Sequence, residues 1–160
     1  MIRFDIRTDF TMDDPEPSPE DWGIGTVLVV DGYAPHASLL ESILASLSTH
    51  IFRVATIEEA IEAAAAAPLR RCAAAPLDVI VMDIGRREAA TGLEQLRAGT
   101  NAAIIVVSSS SATVSVAQAL TAGADDYVTA PVRPAELRAR ARAVVRRRRV
   151  HRSGGGRAGA

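Results

Sequence analysis

The chain has 160 residues, of which 48% are hydrophobic, so it is long enough to bury a substantial core and is typical of one globular domain. Its 18 basic residues are all arginines and nearly balance 19 acidic residues, and the absence of lysine excludes any mechanism that needs a lysine ammonium. No apolar run approaches the roughly 18 residues of a membrane-spanning helix. The start lacks the pattern of a secretory signal, and the single cysteine, Cys72, cannot form an internal disulfide. These features favour a cytoplasmic protein without membrane association.

Charge and composition divide the chain into three parts. The first 22 residues hold seven acids and two arginines, whereas the last 28 hold ten arginines and one acid. Residues 1–24 are predicted to form a flexible acidic arm, because this composition buries too little apolar surface to offset the entropy of ordering. Residues 150–160 are a basic, glycine-rich tail with the composition of a linker. The folded domain is therefore predicted over residues 25–149.

Short apolar runs alternate with helical segments through the middle of the chain. The runs predict five strands, and the segments between them have the 3.6-residue periodicity of helices, with residues 93–98 allowing only about two helical turns. Strict alternation with short connections is typical of a parallel sheet covered by helices on both faces. The sequence therefore predicts an α/β fold with a five-stranded, doubly wound parallel sheet. Its strands are predicted at 26–30, 51–55, 79–82, 103–107 and 127–129.

Polar side chains stand where the predicted strands end. Asp31 follows the first strand, Asp83 the third and Ser108 the fourth. In a doubly wound sheet, ligands bind beyond the carboxyl ends of the strands. Each aspartate alone is also typical of a turn or a helix N-cap. Together, two carboxylates and a hydroxyl at neighbouring strand ends predict a functional site.

At these positions the chain resembles the receiver domains of bacterial two-component response regulators, over roughly residues 25–147. The best-matched segment is AGADDYVTAP at residues 122–131, and the segments VLVVD and VIVMD and the spacing from Ser108 to Gly123 also agree. The resemblance implies a flavodoxin-like receiver fold for the domain at 25–149. It also implies a cis peptide bond before Pro131, because this proline keeps its place in the family pattern.

The resemblance also implies roles for individual residues. Asp83 corresponds to the phosphoacceptor, which attacks a phosphohistidine on a sensor histidine kinase. Asp31, Asp83 and the backbone carbonyl of Gly85 correspond to ligands of a Mg²⁺ ion. Ser108 matches the hydroxyl that meets the phosphoryl group, and Tyr127 matches the aromatic switch residue. A metal ion suits this chemistry, because the charge on three phosphoryl oxygens must be stabilised during transfer.

The chain departs from the family pattern at several of its charged positions. The second acidic position is Gly32, the lysine position is Ala130, and GRREAATG stands where the family has Met-Pro after the phosphoacceptor. Losing a charged donor to phosphate costs about 1.5 to 3 kcal/mol. Phosphorylation by the usual route is therefore expected to be impaired. Arg86 or Arg87 offers a replacement cation, although a solvated loop arginine is the simpler interpretation.

Several function classes remain open from the sequence. The first is a receiver domain of a phosphorelay that is atypical because Gly32 and Ala130 replace charged residues. The second is a phosphorylation-independent interaction or dimerisation module, including the N-terminal part of a winged-helix DNA-binding regulator. A flavodoxin-like binder of a small molecule is a third. Nucleic acid binding is expected only through a missing or separate output domain. The three histidines lack the spacing of metal ligands: His36, His50 and His151.

The arginine-rich last helix has three interpretations. The first is a solvated face whose arginines complement the helix dipole. The second, by resemblance to winged-helix response regulators, is a two-fold homodimer through this helix. In that homodimer Asp125 or Asp126 pairs with Arg138 or Arg142. The third is non-specific contact of RRRRVHR with nucleic acid, which the lack of interleaved aromatic residues makes less favourable.

Overall fold

The structure is a computed structural model that describes residues 24–31, 34–66, 77–83, 89–108 and 116–154. Most of the predicted arm, Gly32, Gly85 and the chain after Gly154 lie outside the described residues. The strands are β1 Ile24–Val30, β2 Ser48–Val54, β3 Leu77–Asp83, β4 Ala103–Ser108 and β5 Asp126–Thr129. The helices are α1 Ala34–Leu44, α2 Ile57–Ala66, α3 Ala89–Gly99, α4 Val116–Thr121 and α5 Pro134–Gly154. No helix in these ranges is long and apolar enough to cross a membrane.

The five strands form one parallel sheet in the order β2-β1-β3-β4-β5. The prediction of a five-stranded parallel sheet is therefore confirmed. The chain leaves β1 toward β2 on one side and returns to β3 on the other side of β1. This reversal opens a crevice beyond the carboxyl ends of β1 and β3, which is where sheets of this kind hold their ligands.

The sheet separates two hydrophobic clusters that alternate along its central strands. Val27, Val29 and Val81 point toward α1 and α5, whereas Leu28, Val30 and Ile80 point toward α2, α3 and α4. Because β1, β3 and β4 are covered on both faces, their sequences are nearly continuous apolar runs. The two layers of helices hold the strand ends in a fixed arrangement.

Several bounds differ from the sequence prediction, most of all those of α3 and β2. Strand β1 begins at Ile24, the last residue of the predicted arm, and α5 extends to Gly154, beyond the predicted domain end at residue 149. Helix α3 has 11 residues, because it begins at Ala89 and is anchored by Leu93 and Leu96, which are fully buried. Strand β2 begins at Ser48, before the apolar run at 51–55 that predicted it. As an edge strand it leaves most side chains exposed, Phe52 included, so hydrophobicity does not mark its start. The predicted cis bond between Ala130 and Pro131 is observed.

Candidate functional site

Asp31 and Asp83 lie side by side at the carboxyl edge of the sheet. Val30 of β1 is paired with Met82 of β3, so the residues that follow these two are neighbours. The Asp31 amide donates a hydrogen bond to the Val54 carbonyl at 3.1 Å, which fixes the backbone where β1 ends. Asp31 is buried, whereas the Asp83 side chain is 22% exposed. The more accessible carboxylate is thus the one that a solute can reach.

His36 joins this pair of carboxylates. Helix α1 begins at Ala34, just after β1, and its first turn holds the His36 ring so that Nδ1 lies 3.1 Å from Asp83 Oδ2. One ligand atom from each of Asp31, His36 and Asp83 lies within 4.8 Å of the other two. His36 was not predicted as a site residue, because the three histidines lack the spacing of metal ligands. The available signal was its position in the first turn of the helix that follows Asp31.

The donor set at this edge fits a divalent cation. Two carboxylates supply the oxygen ligands that Mg²⁺ prefers in proteins, and an imidazole is a ligand for transition ions. Within the described ranges, Asp31, His36 and Asp83 are the group of side chains close enough to share a metal ion. The third predicted ligand, the Gly85 carbonyl, lies outside those ranges.

Ser108 and Ala130 meet at the adjoining strand ends. Ser108 ends β4, is 1% exposed and is paired in register with Thr129 of β5. The Ala130 amide donates a hydrogen bond to the Ser108 carbonyl at 2.8 Å. Position 130, where the sequence pattern expects a lysine, therefore lies at the same edge as the hydroxyl and carries an uncharged methyl group. Tyr127 is partly buried and packs against the cluster beneath α2, α3 and α4.

Asp125 is bonded to arginines of two different helices. Its Oδ1 accepts a hydrogen bond from Arg148 Nε at 2.8 Å, and its Oδ2 accepts bonds from Arg97 Nη1 at 3.3 Å and the Ile104 amide at 2.9 Å. Burial lowers the pKa of Arg97, the nearby positive charge of Arg148 lowers it further, and Asp125 raises it. Because an arginine stays charged in proteins, these contacts form a charged link between α3, β4 and α5.

Asp126 is bonded to Arg140 of α5. Arg140 Nη1 donates to both carboxylate oxygens of Asp126 at 3.1 Å, and its Nε donates to Glu136 Oε1 at 3.0 Å. The bonds to Asp126 and then Glu136 raise the pKa of Arg140. The partners of the two acids within the chain are thus different from Arg138 and Arg142, the arginines expected to meet them across a dimer. Arg138 and Arg142 themselves are partly buried on α5.

Comparison with known proteins gives one consistent assignment. The family model of the response regulator receiver domain matches residues 27–142. The chain is 36% identical over 124 residues to the transcriptional regulatory protein KdpE of Mycobacterium tuberculosis, covering 76% of this chain and 51% of that protein. It is 32% identical over 124 residues to the regulatory protein VanR of Enterococcus faecium, and this match covers 76% of this chain and 50% of VanR. The chain thus spans about half the length of these curated relatives.

A solved structure with the same fold carries a metal ion at its site. It is the receiver domain of a sensor histidine kinase from Pseudomonas aeruginosa with a magnesium ion coordinated in the active site cleft. The two are similar with a TM-score of 0.60 and 23% sequence identity, over 75% of this chain and 96% of that one. The predicted receiver fold is confirmed by this likeness. Because the family model matches residues 27–142, most of the folded part, the chain belongs to the response regulator receiver domain family. These are the signal-receiving domains of two-component systems.

Proposed function

We propose that this domain is an atypical receiver, in which Asp83 is the phosphoacceptor and phosphoryl transfer by the usual route is strongly reduced. The location of Asp83 supports the first half of this proposal. It ends β3 in the crevice beyond the carboxyl ends of β1 and β3, and its partly exposed carboxylate lies close to buried Asp31. A carboxylate oxygen at this edge is accessible to an incoming phosphoryl group.

The single observation that carries the second half is the hydrogen bond between the Ala130 amide and the Ser108 carbonyl. It keeps position 130 at the acceptor edge, where a lysine would hold the phosphoryl oxygens, and alanine supplies no charge there. Losing a charged donor costs about 1.5 to 3 kcal/mol, which is roughly ten- to a hundredfold in an equilibrium. Gly32 in place of an acid removes a metal ligand as well.

The transfer step assigns a role to each side chain. An oxygen of Asp83 attacks the phosphorus atom of a phosphohistidine, and the bond from phosphorus to the donor nitrogen breaks. Asp31, Asp83 and the Gly85 carbonyl would hold Mg²⁺, which neutralises charge on the phosphoryl oxygens when bound. The Ser108 hydroxyl would donate a hydrogen bond to one of those oxygens, and Tyr127 would turn inward as the switch residue when this hydroxyl moves.

The partners follow from the family and from the length of the relatives. The phosphodonor is proposed to be a sensor histidine kinase. KdpE and VanR are regulatory proteins about twice as long as the matched region, so the domain is proposed to act on a DNA-binding output domain beyond it. Such a system operates in the cytoplasm.

The test is incubation with Mg²⁺ and acetyl phosphate, followed by intact-protein mass spectrometry. We expect the natural chain to stay largely unmodified and the double variant Gly32→Asp, Ala130→Lys to gain a phosphoryl group. The same double variant with Asp83→Asn is the matched control and should gain none. Rapid phosphorylation of the natural chain, lost in Asp83→Asn, would overturn the atypical assignment. A double variant that gains a phosphoryl group despite Asp83→Asn would overturn the assignment of the acceptor.

A second proposed function is self-association through the face formed by α4, β5 and α5. Val116 and Leu120 lie one helical turn apart on α4 and are 49% and 45% exposed. These two apolar side chains, beside the charged helix α5, are the contacts that we propose for this face. A dimer on this face would transmit a signal without phosphorylation, as an interaction module does.

A further inference from the structure

We infer that His36 is a third side-chain ligand at the acceptor edge, and that the set of Asp31, His36 and Asp83 selects a first-row divalent transition ion over Mg²⁺. This inference rests on the proposed function, because it concerns the same two carboxylates. It adds a residue that the sequence pattern does not mark and changes the class of ion that the site would take.

The distances among the three side chains suit one shared ion. Ligand atoms about 2.0 to 2.2 Å from an ion lie about 3 Å apart when they are adjacent and about 4 Å apart when they are opposite. His36 Nδ1 and Asp83 Oδ2, at 3.1 Å, match an adjacent pair. The largest separation in the group is within 4.8 Å, so small rotations of the side chains bring all three to one ion.

The backbone holds each of the three ligands in place. Asp31 and Asp83 are fixed by the register of β1 with β3. His36 is fixed because the next residue, Ala37, and Leu40 one turn further are buried against the sheet. The His36 side chain is 48% exposed. An ion can therefore enter from solvent and meet a site whose ligands are already gathered.

The chemistry of the ligands sets the preference among ions. Mg²⁺ binds oxygen almost exclusively and depends on the number of carboxylates, whereas an imidazole is a favourable ligand for Co²⁺, Ni²⁺ and Zn²⁺. Gly32 removes one carboxylate from the family pattern. His36 contributes a neutral nitrogen ligand to a site with two negative charges. The loss of the carboxylate weakens the attraction for Mg²⁺. The remaining set of one nitrogen and two carboxylate ligands is typical of sites for transition ions.

The test is isothermal titration calorimetry of the untagged full chain with Co²⁺ and, separately, with Mg²⁺. We expect Co²⁺ to bind at least about tenfold more tightly than Mg²⁺, because a nitrogen ligand suits a transition ion and Mg²⁺ prefers oxygen ligands. His36→Ala should weaken Co²⁺ binding by about tenfold or more and change Mg²⁺ binding far less. The visible absorption of bound Co²⁺ should change in the same variant, because a nitrogen ligand is lost.

His50→Ala is the matched control. His50 is an exposed histidine on β2, and it pairs with Thr26, five residues before Asp31, which is roughly 16 Å along the strand. This variant should bind Co²⁺ as the natural chain does. His36→Gln, a second variant at the site, should resemble His36→Ala, and circular dichroism of each variant without metal checks that the fold is intact.

The inference is overturned if His36→Ala and His36→Gln bind Co²⁺ as tightly as the natural chain, or if Mg²⁺ binds as tightly as Co²⁺. In that case the contact between His36 and Asp83 is only a hydrogen bond. The titration contains no phosphodonor, so its result is separate from the phosphorylation test. Phosphorylation of the double variant at Asp83, with a natural chain that shows no His36-dependent Co²⁺ binding, rejects this inference alone. His36-dependent binding in a double variant that acetyl phosphate leaves unmodified rejects the proposed acceptor alone.

Discussion

Asp78 is a buried carboxylate that joins β3 to the first residues of β1. Its Oδ2 accepts hydrogen bonds from the amides of Gly25 at 2.7 Å and Thr26 at 3.4 Å. The register between β1 and β3 shifts between Thr26 and Val27, so the regular ladder is interrupted at this point. The carboxylate therefore supplies acceptors where the neighbouring strand does not.

Replacing Asp78 by alanine is expected to lower the free energy of unfolding by about 1 to 3 kcal/mol, because buried amides lose their acceptor. Asp78→Asn is the control, since its side-chain oxygen still accepts a hydrogen bond, and it should cost clearly less. Urea denaturation followed by circular dichroism measures both values. An alanine variant as stable as the natural chain would contradict this role for Asp78.

Gly123 ends helix α4 and turns the chain toward β5. Its φ is 107°, a conformation that side chains rarely adopt. The Gly123 amide donates to the Leu120 carbonyl, and the Ala124 amide donates to the Ala119 carbonyl. This pair of bonds is the Schellman arrangement that terminates helices. A Cβ atom at Gly123 would also lie 2.5 Å from Cγ of Arg97, the arginine bonded to Asp125.

Gly123→Ala is therefore expected to destabilise the domain by at least about 1 to 2 kcal/mol, from the backbone conformation alone, with displacement of Arg97 in addition. Gly99→Ala is the matched control, because no heavy atom lies within 4 Å of a Cβ built there. We expect that variant to stay within about 0.5 kcal/mol of the natural chain. Thermal or urea unfolding of the two variants compares them directly, and equal stabilities would show that the turn tolerates a side chain.

The face formed by α4, β5 and α5 combines apolar and charged groups. Asp126 accepts three hydrogen bonds within the chain, two from Arg140 and one from the Tyr127 amide, and a carboxylate has about four acceptor sites. It therefore retains capacity for a second arginine from another copy. Arg138, two residues before Arg140 on α5, remains the predicted partner in a two-fold dimer.

Sedimentation velocity at increasing protein concentration is expected to reveal a dimer, and Arg138→Glu should shift it toward monomer because the new carboxylate repels Asp125 and Asp126. Arg53→Glu is the control, since Arg53 is an exposed arginine on β2 at the opposite edge of the sheet. It should leave the dimer unchanged. A natural chain that stays monomeric at high concentration, with no effect of Arg138→Glu, would contradict the predicted dimer.

The amino-acid sequence alone determined the class of fold and the residues at the strand ends. Apolar runs and helical periodicity are local properties, so they identified the five strands and the parallel sheet before any contact was known. Asp31, Asp83 and Ser108 were identified because polar residues directly after buried strands stand out in the sequence. The start of β2 and the length of α3 were missed, since an exposed edge strand and a short helix have weak periodicity.

Only the tertiary structure decided which side chains meet. His36 and Asp83 are 47 positions apart, and their contact depends on how α1 leaves β1 and where β3 ends. Asp125 pairs with Arg97 and Arg148, and Asp126 pairs with Arg140. These ion pairs likewise depend on the packing of α3 and α5 against the sheet. Sequence position marks His36 as a candidate, since it stands in the first turn after Asp31, but it does not specify any of these contacts. They arise from the register of strands and the rotation of helices, both of which are set by burial of the whole core.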